Sequence, residues 1–206
     1  MIPELEPPEY LRQKSLRNAE KSPSLGLGFK KARLERQVYE RLLAHFRNNI
    51  ARFEVEAPED EMRTAKKNMI PALLFEEPTF NERFVSELKP LHEIWAKTPL
   101  RISACYGIRA YQSGTFLYNH VDRKPHIVSS TICIDHALDS RWPLHIESID
   151  GTVHQIDMDP GEYISYEGAR LMHGRPYPLD GEFYAGIFVH YYPADMLRKD
   201  EEEGRE

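Results

Sequence analysis

Three side chains in this 206-residue sequence have the types and spacing of a metal site. His120 and Asp122 lie in Tyr118-Asn119-His120-Val121-Asp122-Arg123, and His173 lies about fifty residues on, in Leu171-Met172-His173-Gly174-Arg175-Pro176. On an extended strand, residues i and i+2 project to one face, so His120 and Asp122 point together. Two imidazoles and one carboxylate on one face of an octahedral ion leave the opposite positions open to reactants, which suits iron(II) oxidation chemistry. His-x-Asp alone is weak evidence, because nine histidines make chance pairings easy.

The other histidines read as structural or solvent groups. Glu147 and His154 would face each other if Asp150-Gly151 forms a two-residue hairpin turn. His45 sits on the polar flank of a helix, and His92 and His136 lie near turns. His126 follows His120 by six residues, and Pro125 between them is expected to turn His126 off the shared face.

The elements that must position the three ligands fall in the second half of the chain. Residues 100–195 carry short β-rich segments at close spacing with turn signals between, among them Asp150-Gly151, Asp159-Pro160-Gly161 and Asp180-Gly181. Ile127 to Ile134 is the richest in β-branched residues. Gly107 is expected to mark a bulge within 101–111. Seven or eight strands so arranged point to a sandwich or barrel, in which an early and a late strand can lie side by side and join His120 and Asp122 to His173.

Residues 26–99 read as a helical part packing on this core. Leu34, Val38, Leu42, Phe46 and Ile50 recur every four residues, and Phe84, Leu88, Leu91 and Trp95 mark a second helix over 81–96, with Pro90 in its middle and Pro99 beyond its end. Residues 54–68 form a polar connection. Residues 1–25, rich in Pro, Glu, Lys and Ser, are expected to be a mobile or loosely docked tail, and 196–206 an acidic tail. The fold class is mainly β with flanking N-terminal helices (α+β), in one domain.

Composition narrows the function classes. The chain is 41% hydrophobic and 29% charged, with a net charge of −6, which argues against a nucleic-acid surface. No apolar run is long enough to cross a bilayer, and the N-terminus lacks a secretion signal, so a cytoplasmic location is the default expectation. Cys105 and Cys133 lie in apolar strand-like segments and are expected to be reduced core residues.

Tyr106-Gly107-Ile108-Arg109-Ala110-Tyr111-Gln112-Ser113-Gly114, then His120-Val121-Asp122, then Asp159-Pro160-Gly161-Glu162-Tyr163 and His173 together resemble the Fe(II)/2-oxoglutarate-dependent dioxygenases of the prolyl 4-hydroxylase-like group. The resemblance covers roughly residues 100–193. It implies a double-stranded β-helix (jelly roll) core, with His120, Asp122 and His173 as Fe(II) ligands. It also implies 2-oxoglutarate as co-substrate and hydroxylation of an unactivated C–H bond as the reaction.

One departure stands out. The far carboxylate of 2-oxoglutarate needs a buried cation, which in that group follows the distal histidine by about ten residues. That count reaches Phe183 here. Arg175 is the favoured substitute, since it follows His173 by two and Pro176 biases it toward an extended backbone. Arg109 and Arg101 come next, Tyr111 and Tyr118 could add hydroxyl bonds, and Arg123 and Lys124 would lie at the pocket rim. Phe183 keeps open a metal-dependent jelly-roll enzyme without 2-oxoglutarate, and a non-catalytic β-roll binding module is the further alternative. The expected substrate is a small molecule, an amino acid or a peptidyl residue. Halogenation is disfavoured because Asp122 is present.

Overall fold

A computed structural model describes residues 9–56 and 70–196. Most of the expected polar connection and nearly all of the expected acidic tail lie outside these residues. The described chain forms three α-helices and eleven strands, arranged as two antiparallel sheets face to face.

The larger sheet has the order β1-β9-β6-β11-β4-β3-β2, with β1 Phe29–Arg33, β2 Glu54–Val55, β3 Leu73–Phe75, β4 Leu100–Gln112, β6 Val128–Leu138, β9 Glu162–Tyr166 and β11 Gly181–Pro193. The smaller has the order β5-β10-β7-β8, with β5 Leu117–His120, β7 Leu144–Glu147, β8 Val153–Ile156 and β10 His173–Arg175. This is the double-sheet roll expected from the strand pattern.

Alternation along the central strands divides the apolar residues between two cores. Val128, Ile132 and Ile134 on β6, with Ala185, Ile187, Val189 and Tyr191 on β11, point outward. They meet Leu42 and Phe46 of α2 (Arg36–Asn48) and Phe84, Val85 and Leu88 of α3 (Pro78–Ala96). Cys133, Ile164, Tyr166, Tyr184 and Tyr111 point inward and meet Trp142, Leu144, Ile146 and Leu171 from the smaller sheet and its loops. Burying one Leu or Phe in such a core stabilises it by roughly 1.5–3 kcal/mol.

Several local expectations shift. Stretch 9–20 of the expected tail is a helix, α1 (Glu9–Glu20), which packs beside β5. Stretch 26–99, read as helical, also supplies β1, β2 and β3 to the larger sheet. Ile50 lies past the end of α2 and is exposed, and Leu91 on α3 is 40% exposed because the inner stripe of that helix is Phe84, Leu88 and His92.

The β7–β8 connection is a five-residue loop. Asp150 accepts from the Ser148 hydroxyl and the Thr152 amide, so Glu147 pairs with Val153, and His154 faces Ile146. Gly107 does carry a bulge. Its φ is +91°, the β4–β11 register slips there, and a Cβ would strike the Phe75 carbonyl. Both cysteines are free thiols, and burial pushes each up to about 11.

Candidate metal centre

His120 ends β5 and His173 begins β10, and the two are directly paired across that antiparallel ladder. Asp122 follows β5 by two residues, and its amide donates to the Gly168 carbonyl at 2.8 Å. The three side chains offer ligand atoms that all lie within 4.8 Å of one another. Asp122 Oδ1 is 3.8 Å from His120 Nε2 and 3.6 Å from His173 Nε2.

Each imidazole is oriented by its own strand. A carbonyl can only accept, so His120 Nδ1–H donates to the Tyr118 carbonyl and His173 Nδ1–H to the Leu171 carbonyl, each at 2.8 Å. Both Nε2 lone pairs are left facing the gap, the tautomer a metal requires. His173 is buried, whereas His120 is exposed on one side of the site. Burial alone would raise the Asp122 carboxyl, but the surrounding His173, His190 and His120 imidazoles hold it well below the usual carboxylate range. It is a carboxylate at neutral pH. The donor set fits a divalent ion with open positions.

Loop 167–171 backs two of the three ligands, through the Gly168 and Leu171 carbonyls. Glu167 anchors this loop. Its fully buried carboxylate accepts the amides of Leu25, Leu27 and Gly28 at 2.6–3.0 Å. Arg170 donates to the Ala19 and Ser22 carbonyls at the end of α1. The N-terminal segment thus supports the metal site from behind.

Arg175 is buried between the sheets, with Nη2 donating to the Tyr184 hydroxyl at 2.9 Å and Nη1 to the Trp142 carbonyl. Its guanidinium lies 4.6 Å from the Trp142 ring centroid and 4.4 Å from that of Tyr184. All its hydrogen-bonding partners among the described residues are uncharged, so a buried cation sits here without an anion. Phe183 points to the other face of the sheet, 6.2 Å from the Phe46 ring.

The remaining candidates separate. Tyr111 is buried beside Trp142 and Phe188, and burial pushes its hydroxyl up to about 12. Arg109, expected as a second cation for a far carboxylate, is instead held by Glu56 through Nε and Nη2 at 2.6–3.0 Å. Tyr118 packs its ring on Phe116 and meets the site through its carbonyl. Arg101 is exposed at the start of β4, and Arg123 donates to the Tyr106 hydroxyl at 3.0 Å.

His126 is not in the ligand group, in keeping with the turn at Pro125, but it stays nearby. It is buried, bonded to Ser103 and Tyr106, and stacked at 4.4 Å on His190. Ser129, Tyr166, Trp142, Tyr184 and His190 escaped the sequence reading. The available signal was polar residues on inward positions of otherwise apolar strands, Ser129 on β6 and His190 on β11.

No protein-family model matches the sequence, and no curated protein matches it significantly. Solved structures do match. A prolyl-4-hydroxylase from Pseudomonas putida is 13% identical over 87% of this chain and 97% of its own, with a TM-score of 0.59. The non-haem α-ketoglutarate-dependent epimerase SnoN of nogalamycin biosynthesis is 10% identical over 91% and 84%, with a TM-score of 0.62. HygX from Streptomyces hygroscopicus, solved with nickel, 2-oxoglutarate and hygromycin B, is 13% identical over 88% and 87%, with a TM-score of 0.56.

The chain has the jelly-roll fold of the 2-oxoglutarate–Fe(II) oxygenases. His120, His173 and Arg175 lie on the smaller of its two sheets, and Asp122 follows the end of β5. No helix among the described residues is long and apolar enough to cross a membrane.

Proposed function

We propose that this protein is an Fe(II)- and 2-oxoglutarate-dependent oxygenase that hydroxylates a C–H bond of a small molecule, an amino acid or a peptidyl residue. The observation that carries this reading is the pairing, on one strand, of a metal ligand with a buried cation that lacks an anion. His173 and Arg175 are two residues apart on β10, about 7 Å along a strand, comparable to the length of a five-carbon dicarboxylate.

His120 Nε2, Asp122 Oδ1 and His173 Nε2 would hold the iron, and Arg175 with the Tyr184 hydroxyl would hold the far carboxylate. The iron with 2-oxoglutarate and dioxygen supplies the oxidising power when bound. The chain's own part is placement and exclusion of water. The Trp142 and Tyr184 rings lie against the Arg175 guanidinium, and this apolar surface strengthens its pull on an anion. The exposed side of His120 leaves the metal end open for a substrate.

The test is succinate formation from 2-oxoglutarate with Fe(II) under air, together with anaerobic titration of the Fe(II) protein by 2-oxoglutarate. Turnover and the weak visible charge-transfer band of the chelate are expected. Fe(II) binding at the triad without that band would favour a metal enzyme that does not use 2-oxoglutarate. Failure to bind iron in wild-type protein would leave a binding module.

A further inference from the structure

The two oxygens of Asp122 face different surroundings. Oδ1 lies 3.6 and 3.8 Å from the Nε2 atoms of His173 and His120. Oδ2 is turned away. It accepts from the Ser129 hydroxyl at 2.6 Å and is walled on its other side by Gly168, where a Cβ would collide with both Asp122 Oδ2 and Ser129 Oγ. Ser129 has one proton, and it goes to Asp122. The Ser129 oxygen must therefore accept from its other partner, His190 Nδ1, at 2.8 Å.

His190 is buried on the inner face of β11, paired across the ladder with Ser129, and its ring is fixed by stacking on His126. Because the Ser129 hydroxyl has no second proton to give, the hydrogen between Ser129 Oγ and His190 Nδ1 belongs to the imidazole. The direction of the chain His190 → Ser129 → Asp122 is thereby set.

We infer that Ser129 and His190 are positioning residues that keep Asp122 a one-oxygen ligand, engaging Oδ2 so that only Oδ1 turns to the metal. A carboxylate that swung to bind through both oxygens would fill a position that reactants need. Ser129 lies on a strand of the larger sheet and Asp122 beyond a strand of the smaller one, so this bond also ties the two sheets together at the metal. The inference rests on the metal-binding reading above and adds to it residues that touch no metal.

The experiment is anaerobic Co(II) binding, by competition with a chelating dye and by absorption of the bound ion, without 2-oxoglutarate. Wild type, His120→Ala, Ser129→Ala, His190→Leu and His190→Asn are compared. Asn keeps an N–H where Nδ1 stood, and Leu does not. Ser129→Ala and His190→Leu are expected to bind Co(II) about 10- to 100-fold more weakly. They should also show weaker d–d bands, as a second carboxylate oxygen raises the coordination number, and His190→Asn should stay near wild type.

Wild-type affinity and spectrum in Ser129→Ala would overturn the inference while leaving the metal site standing. Equal losses in His190→Leu and His190→Asn would also overturn it, since a merely structural role predicts that result. Wild type binding no better than His120→Ala would instead remove the metal reading itself, and this inference with it.

Discussion

Ser129 and Ser130 are neighbours on β6, and each bonds a buried histidine, yet the two pairs differ in kind. Ser129 faces inward, accepts from His190 and donates its hydroxyl hydrogen bond to Asp122. Ser130 faces outward, donates to His92 Nε2 at 2.7 Å and meets the Ser165 hydroxyl at 2.9 Å. His92 in turn donates Nδ1–H to the Leu88 carbonyl of α3 at 2.9 Å. The outer trio is closed: each member is satisfied by the others or by backbone, and it ties a helix to a sheet. The inner trio ends on a carboxylate whose other oxygen faces two imidazole lone pairs. A buried Ser–His pair therefore says little by itself. What marks a site is the charged group at its end and the two imidazoles that face it.

The sharpest way to break this contrast is Asp122→Ala. It should weaken Fe(II) binding by more than the roughly 100-fold that marks an outer partner, while the His92 trio and the fold persist. Equilibrium dialysis with Fe(II), beside a circular dichroism melt, reads both. Iron bound as tightly as in wild type would sink the triad.

Arg175→Met keeps the apolar volume and removes the charge. Losing one partner of a buried charged pair costs about 2–5 kcal/mol, so the half-saturating 2-oxoglutarate concentration should rise roughly 30-fold or more, with metal affinity unchanged. An unaltered requirement would take Arg175 out of that role.

The outer trio should speak through stability and pH. Burial holds His92 at about 4, below its ordinary 6.5. Between these values the unfolded chain binds the extra proton and the folded chain does not. Stability is therefore full above pH 6.5 and falls as pH drops toward 4, by at most roughly 3 kcal/mol. In urea titrations across that range, His92→Gln should show a flatter acid slope than wild type. An equal slope would mean that other groups carry it.

Tyr184→Phe should have the smallest effect. It removes one hydrogen bond to Arg175, worth about 1 kcal/mol, and should raise the 2-oxoglutarate requirement about fivefold in the same assay as Arg175→Met. A change as large as that of Arg175→Met would show that Tyr184 does more than hold the guanidinium.

Local patterns in the sequence reached far into this fold. The stripe positions Val38, Leu42 and Phe46 fall on α2, with Leu34 just before it, the β-branched run near Ile132 is β6, and Gly107 is a bulge. These features are legible because strand and helix periods depend on near neighbours. The helix over 9–20 was hidden because its polar composition carries almost no apolar stripe. Its place depends on Arg170, which lies 151 residues further on.

At the site, the sequence by itself determined the ligand types, the i, i+2 relation of His120 to Asp122, and the same relation of His173 to Arg175. Each is a matter of backbone geometry within a few residues. Only the tertiary structure decided which partner each group meets. It paired His120 with His173 across one ladder, gave Arg109 to Glu56 while leaving Arg175 among neutral groups, and turned Phe183 to the outer core. It also brought His190, Ser129 and Gly168 around one oxygen of Asp122. Those outcomes depend on how strands far apart in sequence are ordered and registered in the sheets, and no local spacing contains that order.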